Sequence, residues 1–406
     1  MPVYTGVHRD GFFIKRMKKS LLSLILTYAM ATTASAQYTT DGFYRIQNLG
    51  SERYAYLTDN TGSYDMVRDQ GDINAVQMWS TASRSYFSDP SSLIYIQQVG
   101  ASLYDLKGQG MSLHQLTNEY VTVRETSTGS GEYYVYATKS GVSKYLGDSE
   151  TADLDKGNFS TSAQGDNKLW YVHQLDNSSS DNYFGLKPIV CVADKHYYPL
   201  YIANPFYLTG DMKAYTIKTV GHGMAVISEV TGLMPAFTPL LIECTSDNAI
   251  DNKIDLVGAV ETSPLAGNLL SGVLFCNESR ATKDHTGLSE KAITQFNPAT
   301  MRLLGITSEG RLGFVSTSDQ LYDAKRVVGG APLGLCLPAN QAYLPVPEGT
   351  EAEVTIVTQE EYDDFMSAIG DIKPQAADAP LYNLNGVRTD ATKHGIYIKG
   401  GKKYTK

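Results

Sequence analysis

The sequence has 406 residues, a formal net charge of −9 and 19% charged residues. This length is enough for two or three domains with full-sized cores. An acidic surface repels phosphate backbones, so the charge argues against nucleic acid as a partner. The 28 tyrosines and 36 glycines accompany short runs of Val, Ile, Tyr and Thr between turn-forming residues. This pattern predicts an all-β protein, because β-branched and aromatic side chains pack well on a pleated surface.

Residues 1–36 are organised as an upstream extension followed by a secretory signal peptide. Lys18-Lys19 precede an apolar run from Leu21 to about Ala31, and the small residues of ASA at 34–36 form a cleavage site. The apolar run is too short to span a bilayer, so we expect no transmembrane anchor. Met17 opens the more typical signal peptide, and the choice of Met1 or Met17 as the start stays open. We therefore expect an exported protein, either secreted or held at the cell surface.

Residues 37–176 contain three related segments of about 45 residues. DGFYRIQN at 41–48 is similar to GEYYVYAT at 131–138, and Trp79 and Trp170 stand at matching places about 90 positions apart. SSLIYIQQVGASLYDL at 91–106 begins a middle copy that has no tryptophan. One such unit cannot bury its apolar face alone, whereas three units around an axis can. The spacing therefore predicts a β-trefoil.

The same segment, from about residue 38 to 176, resembles the ricin-type β-trefoil lectins, whose repeats carry a Gln-x-Trp near their end. Gln77-Met78-Trp79 matches this motif, and Lys168-Leu169-Trp170 departs from it at the first position. The resemblance covers about a third of the chain. It implies that Gln77, Trp79 and Trp170 are structural, with both tryptophans filling the trefoil core. An exposed sugar-stacking role for the tryptophans is the alternative.

The resemblance also implies positions for sugar contacts: an Asp after the YL strand, an aromatic in the next loop, and an Asn directly before the tryptophan motif. In the third copy these are Asp148, Phe159 and Asn167. A carboxylate and an amide can bind vicinal hydroxyls, and an aromatic face covers the apolar side of a sugar ring. The first copy offers Asp59 and Tyr64 but has Val in place of the Asn. Two other interpretations stay open: each Asp holds its own turn, or the domain binds protein instead of glycan.

DNSSSDN at 176–182 marks a change of composition, and residues 177–182 are predicted to be a polar linker. Residues 183–371 carry short apolar runs separated by turn signals, which predicts a β-sandwich-like domain. MKAYTIKTV at 212–220 and ISEVTGLMPAFTPLLIE at 227–243 are followed by NLLSG at 268–272 and LPANQAYLPVP at 337–347. These runs resemble an accessory β-domain of secreted proteins from anaerobic bacteria, to which no chemistry is assigned. One short helix is predicted at about 359–369, because Thr358 and Glu361 have capping-box spacing. We expect the helix to pack on the sandwich.

Residues 372–380 form a second linker, and residues 381–406 a C-terminal tail. Ile396 to Lys399 and Lys402 to Thr405 flank Gly400-Gly401, which is a two-residue hairpin signal. The tail resembles the C-terminal sorting tails of proteins exported by the type IX route. The resemblance implies attachment at the outer surface, while a simple closing hairpin is the alternative.

Catalytic and metal-binding motifs give little support for an enzyme. GDSE at 147–150 resembles the Gly-Asp-Ser block of one esterase family but lacks its following Leu and its downstream Asp-x-x-His. Neither a G-x-S-x-G elbow nor an H-E-x-x-H motif occurs. His196, His222 and His285 are scattered in predicted loops, and the cysteines show no zinc spacing. We expect no cofactor and no metal. Free thiols and disulfides both stay open for the four cysteines, which are Cys191, Cys244, Cys276 and Cys336.

The sequence therefore predicts an exported, non-enzymatic, lectin-like protein of the bacterial cell surface. Its expected partners are glycans, bound mainly by the third trefoil copy. The second hypothesis is a structural or adhesive surface protein whose trefoil binds protein partners. The third is a secreted hydrolase with an unrecognised site in the central domain, which would need paired titratable groups in a water-excluding cleft.

Overall fold

A computed structural model describes residues 41–57, 71–79, 86–108, 111–112, 120–148, 156–258, 260–274, 294–328, 331–370, 381–384, 386–389, 396–399 and 402–405. Within these ranges the chain consists mainly of strands, with one α-helix and four short 3₁₀ turns. The predicted all-β class is confirmed. The predicted signal peptide lies outside the described residues. In the part of the chain that is described, we find no helix long and apolar enough to cross a membrane.

The N-terminal domain contains eleven strands in one sheet. They are β1 (Gly42–Asn48), β2 (Tyr54–Leu57), β3 (Gly71–Trp79), β4 (Ile94–Gly100), β5 (Leu103–Gly108), β6 (Met111–Ser112), β7 (Thr122–Glu125), β8 (Glu132–Lys139), β9 (Val142–Asp148), β10 (Lys156–Ser160) and β11 (Trp170–Gln174). Short 3₁₀ turns cover Tyr86–Ser88, Pro90–Ser92 and Asp166–Lys168.

Three antiparallel pairs, β1–β2, β4–β5 and β8–β9, begin the three copies that the sequence predicts. The last strand of the domain returns to the first, since β11 pairs with β1 from Tyr44↔Gln174 to Asn48↔Trp170. Strand β8 also pairs with both β7 and β11. Three similar hairpins therefore share one sheet, and the pairing of β11 with β1 closes a ring that includes the first and third of them. The β-trefoil assignment itself stays a prediction.

The core of this domain is formed by side chains from all three copies. Alternation along β8 shows how the strands contribute: Tyr133, Val135 and Ala137 are buried, whereas the tyrosines between them are half-buried. This two-residue period follows from strand geometry, in which successive side chains point to opposite faces. The other buried members are Tyr44, Ile46, Ala55, Ile94, Ile96, Leu106, Val121, Val123, Leu146, Phe159, Trp170 and Val172.

The second domain contains fourteen strands in the described residues. They are β12 (Val190–Val192), β13 (Lys195–Leu200), β14 (Phe206–Leu208), β15 (Lys213–Gly221), β16 (Met224–Val230), β17 (Leu240–Cys244), β18 (Ile254–Leu256), β19 (Ser271–Val273), β20 (Met301–Ile306), β21 (Leu312–Val315), β22 (Tyr322–Val328), β23 (Ala331–Cys336), β24 (Gln341–Pro345) and β25 (Glu353–Val357). A 3₁₀ turn covers Ala249–Asp251.

The main sheet of this domain closes into a barrel instead of the predicted sandwich. Its strand order is β12-β13-β17-β15-β16-β25-β21-β20-β24-β19, and β13 also pairs with β24 through Leu200↔Gln341. The strands from β13 to β24 thus form a ring. Alternation and turn signals identify strands but not their partners, and the closing pair joins residues far apart in the sequence. The sequence therefore does not distinguish this barrel from the sandwich that it predicts.

Strand β17 shows that the barrel wall is buried on both sides. Leu241 belongs to the cluster inside the barrel, together with Phe314 and Ile356. Leu240 and Ile242 belong to a second cluster outside it, where the segment around Phe184 covers the wall. A strand buried on both faces carries a continuous apolar run, which explains the sequence LLI.

The helix α1 (Gln359–Gly370) has the predicted bounds within one residue. Its capping box is present, since Glu361 N donates to Thr358 Oγ1 at 3.2 Å and Thr358 N donates to Glu361 Oε2 at 2.7 Å. The helix packs on the second domain less closely than the sequence predicts. Tyr362 is half-buried, but Phe365 and Met366 are 39% and 36% exposed.

The C-terminal tail forms the predicted hairpin, here β27 (Ile396–Lys399) and β28 (Lys402–Thr405), and β26 (Leu381–Asn383) adds a third strand. Among the cysteines that are described, Cys191, Cys244 and Cys336 are not joined to one another by disulfides, and Cys336 Sγ donates to the oxygen of Gly334 at 3.4 Å. Burial raises the pKa of the Cys244 thiol to about 12, so it stays protonated at neutral pH. Cys276 lies outside the described residues.

Candidate functional site

The predicted sugar contacts of the third copy come together in the structure, at the end of β9 and the turn before β11. Asn167 Nδ2 donates a hydrogen bond to the main-chain oxygen of Asp148 at 3.3 Å. Phe159 lies opposite Leu146 in the pairing of β10 with β9. The spacing of the motif therefore located three neighbouring residues, but the environment of two of them differs from the expectation.

The Asp148 carboxylate is turned inward and is fully buried. Ser51 Oγ donates to its Oδ2 at 2.5 Å, and Arg53 Nε donates to the same oxygen at 2.7 Å. The second guanidinium nitrogen of Arg53 contacts Oδ1 in an ion pair, and the Arg53 side chain is only 15% exposed. Because Ser51 and Arg53 belong to the first copy, Asp148 joins the first and third copies. Its carboxylate is out of reach of a sugar in this structure.

Phe159 is also inaccessible, since it is 2% exposed and belongs to the domain core. Its ring cannot cover a sugar there, because strand alternation points it inward next to Leu146. Trp170 is fully buried in the same core, and its indole N–H donates to the oxygen of Leu146 at 3.0 Å. Asn167 alone among the three predicted contacts keeps a partly exposed side chain.

The corresponding residues of the first copy are described only in part. Asp59 and Tyr64 lie outside the described residues. Gln77 and Trp79 lie on β3, where the backbone of Trp79 pairs with Tyr54 and that of Gln77 with Tyr56. The positions of their side chains lie outside what the structure describes, so their predicted structural role stays a prediction.

The outer face of the third copy carries an aromatic cluster that the sequence motifs did not single out. Tyr134 and Tyr136 project outward from β8, and Tyr145 lies opposite Tyr136 on β9. All three are half-buried. The ring centroids of Tyr136 and Tyr145 are 5.0 Å apart, and those of Tyr134 and Tyr145 are 5.4 Å apart in an edge-on contact. We call these three residues the tyrosine cluster.

Polar side chains surround the tyrosine cluster on the same sheet face. Arg124 on β7 lies opposite Tyr134 in register, and its guanidinium carbon is 5.7 Å from the centroid of the Tyr136 ring. Beyond Tyr136, the hydroxyls of Thr138 and Ser143 form a hydrogen bond of 2.7 Å. Aromatic faces are thus bordered by a cation on one side and hydroxyls on the other. The signal for this face was present in the sequence as outward tyrosines alternating with buried residues in EYYVYATK.

Among the residues that the structure describes, no three His, Cys, Asp or Glu side chains are close enough to hold a metal ion. His222, one of the scattered histidines, packs near Phe365 of α1, with ring centroids 6.0 Å apart.

Comparison with known proteins gives distant likenesses. No protein-family model and no curated protein matches the sequence. Among solved structures, SeviL bound to asialo-GM1 saccharide is similar to 33% of this chain over 98% of its own length, with 11% identity and a TM-score of 0.23. A mosquitocidal holotoxin is similar to 76% of this chain over 34% of its own length, with 11% identity and a TM-score of 0.27. The chain thus spans a minor part of that toxin. At these TM-scores neither likeness identifies the fold or the ligand of this chain.

Proposed function

We propose that this protein is a non-enzymatic binding protein whose N-terminal domain recognises carbohydrate. The observation that supports it is the tyrosine cluster with its polar border. A sugar ring has an apolar face of C–H groups and a rim of hydroxyls. Half-exposed tyrosine rings match the apolar face, while Arg124, Thr138 and Ser143 offer donors and acceptors to the rim. The proposed site stays in the third copy but moves from the strand ends to the outer face of the hairpin.

Asp148 and Asn167 take a supporting role in this proposal. The ion pair between Asp148 and Arg53 fixes the end of β9, the strand that carries Tyr145. Asn167 ties the following turn to the same point through the Asp148 carbonyl. These contacts hold the hairpin of the third copy against the first copy, so the rings are presented on a rigid support.

Export and surface attachment are also part of the proposal. They are supported by the signal-like sequence of residues 1–36 and by the sorting-like tail. N-terminal sequencing of the protein secreted by its host tests the first part, and cleavage after Ala36 is expected. A protein found outside the cytoplasm with residues 1–36 retained would contradict cleavage after Ala36, and a protein that never leaves the cytoplasm would contradict export.

The carbohydrate proposal is tested with the full chain on a glycan array, followed by calorimetric titration of the best glycan. We expect Tyr136→Thr and Tyr145→Thr to weaken binding at least tenfold, about 1.4 kcal/mol, because each removes an aromatic face while keeping strand propensity. Tyr207→Thr is the matched control. Tyr207 is 47% exposed on strand β14 of the second domain, and its loss should leave binding unchanged.

Three results would redirect the proposal. Glycan binding that survives both cluster substitutions would place the lectin site elsewhere. The absence of glycan binding by a well-folded chain would favour the adhesive function, because Tyr and Arg are also the residues that dominate protein interfaces. Turnover of a glycan on the array, detected as released sugar, would favour the hydrolase.

A further inference from the structure

The barrel of the second domain has a cavity at one end, separate from the tyrosine cluster. Strands β13, β15 and β21 begin there, and β17 and β25 end there. The cavity has a volume of about 560 Å³, and its apolar wall includes Ile227, Leu241, Leu312 and Ile356. We call it the barrel mouth. Openings of small barrels are frequent sites for small ligands, because an eight-stranded ring leaves little more than that space.

Two carboxylates line the barrel mouth, and Glu243 is the more buried of them, at 19% exposure against 50% for Glu361. Along β17, Leu240 and Ile242 face the outer core, so Glu243 points inward beside Leu241. The hydroxyl of Tyr215 donates to Glu243 Oε2 at 3.3 Å, and the hydroxyl of Tyr197 approaches the same oxygen at 3.5 Å. Two phenol hydroxyls therefore face one oxygen of the carboxylate, at distances that are long for O–H···O hydrogen bonds.

Both phenols keep their protons. Burial, with a further contribution from the Glu243 carboxylate, raises the pKa of Tyr197 to about 12. The pKa of Tyr215 is raised for the same reasons, and Glu229, opposite it in register, adds to the effect. The tyrosines thus donate to Glu243 at neutral pH and leave its remaining oxygen for a cation.

That oxygen is held by a cation that can leave. Lys195 Nζ lies 3.0 Å from Glu243 Oε1, but the Lys195 side chain is 58% exposed and enters from the rim. Ion pairs with so exposed a partner contribute little, so a competing cation can displace Lys195. Arg311 is already paired with Glu361 at 3.0 Å. A further cation, Lys213, lies opposite Glu243 in the pairing of β15 with β17, and it is exposed.

We propose that the barrel mouth binds a primary ammonium group carried on an apolar stem, with Glu243 accepting the ammonium in place of Lys195. The apolar wall would cover the stem, and the two tyrosine hydroxyls would hold the carboxylate. An anion is disfavoured because Glu243 is the least exposed of the four charged side chains that line the mouth, so the charge beside the apolar wall is negative. A neutral ligand would leave the Glu243–Lys195 pair intact and gain nothing from the carboxylate.

The probe is 2-phenylethylamine, compared with the neutral 2-phenylethanol, on the full chain at pH 7 by ligand-observed NMR. We expect the amine to bind in about the millimolar range, as suits so small a molecule, and the alcohol to bind at least tenfold more weakly. Glu243→Gln should abolish this preference. Lys195→Met should strengthen amine binding severalfold, because it removes the competing ammonium. Glu348→Gln, at an exposed position away from the mouth, is the control.

Equal binding of amine and alcohol, or no binding of either, would overturn the proposal. Weaker amine binding by Lys195→Met would overturn the displacement step, and this variant keeps the test decisive if Glu243→Gln fails to fold. The substitutions Tyr136→Thr and Tyr145→Thr should leave amine binding unchanged, since they lie in the other domain. Failure of the glycan proposal and failure of this one are thus distinguishable.

Discussion

At the scale of single residues, one ion pair connects two copies of the repeat. Asp148 is buried, and its partner Arg53 keeps little exposure. Removing one member of such a pair leaves an uncompensated charge, whose cost exceeds the value of the pair itself. We expect Asp148→Ala to lower the free energy of unfolding by about 3 kcal/mol, measured by denaturant titration of the full chain. Asp166→Ala, at an exposed position nearby, should change it by less than about 0.5 kcal/mol.

The double variant Asp148→Ala/Arg53→Ala separates a structural pair from a sugar contact. Loss of both partners removes the unpaired guanidinium, so the double variant should be more stable than the sum of the two single changes predicts. If the effects are additive, Asp148 and Arg53 do not interact as the structure shows. Asp148→Ala is a poor probe of glycan binding, because it is expected to destabilise the domain. An unstable domain loses its ligand whether or not Asp148 contacts the glycan.

Asp148, Asn167 and Phe159 show how much of a site a sequence motif can predict. The spacing after YL and before the tryptophan brought Asp148 and Asn167 together correctly, because both positions are local to one copy. It could not reveal Arg53, which comes from another copy. Nor could it show that Phe159 points inward, because one residue of register decides between the core and solvent. The sequence shows tyrosines alternating with other residues along the strand, but it does not show which of the two sets faces the core.

At the scale of elements, α1 forms with little support from packing. Its apolar side chains Phe365 and Met366 are exposed, so the capping box carries more of its stability than in a helix packed on a core. We expect Thr358→Ala to cost about 1 kcal/mol and to speed amide exchange within Gln359–Gly370 roughly fivefold. Hydrogen exchange measures this locally. Glu360→Gln, next to the capping box, is the control, and an equal effect of both changes would contradict the role of the cap.

The capping box should also make α1 sensitive to acid. The Thr358 backbone N–H, aided by its hydroxyl and by Arg311, holds the pKa of Glu361 below its usual range. A carboxyl group whose pKa is lower when folded stabilises the fold above its unfolded pKa and loses that effect as the pH falls through its folded pKa. Protection of the α1 amides, corrected for intrinsic exchange, should therefore fall in acid. Glu361→Gln should have lower protection at neutral pH and lose the acid step.

At the scale of the whole molecule, the predicted linker lies in a hydrogen-bonded junction. Asn177 Nδ2 donates to the oxygen of Ile254 at 2.7 Å, and the rings of Phe87 and Tyr183 stack with centroids 4.7 Å apart. Arg45 is fully buried at the junction and donates to Asn182 Oδ1 at 2.6 Å. Residues 176–182, where the composition changes, lie between β11 of the first sheet and β12 of the second. The change of composition could not predict these partners, which come from distant parts of the sequence.

Arg45 is the residue through which the junction can be tested. Burial lowers its pKa to about 10, so it stays charged at neutral pH and bonds Ser92 and the oxygen of Tyr86 as well as Asn182. Arg45→Met keeps the apolar stem but leaves these acceptors without their donor, a loss of about 2 kcal/mol. Residues 177–182 are already at least partly exposed, but hydrogen bonds of Asn177 and Asn182 hold the segment in place. Cleavage there by subtilisin requires the segment to open, so it should become roughly 30-fold faster, because cleavage follows the population of the open state. Arg388→Met, at an exposed position in the tail, should leave the rate unchanged. An unchanged rate for Arg45→Met would mean that the stacked rings and Asn177 hold the domains together without Arg45.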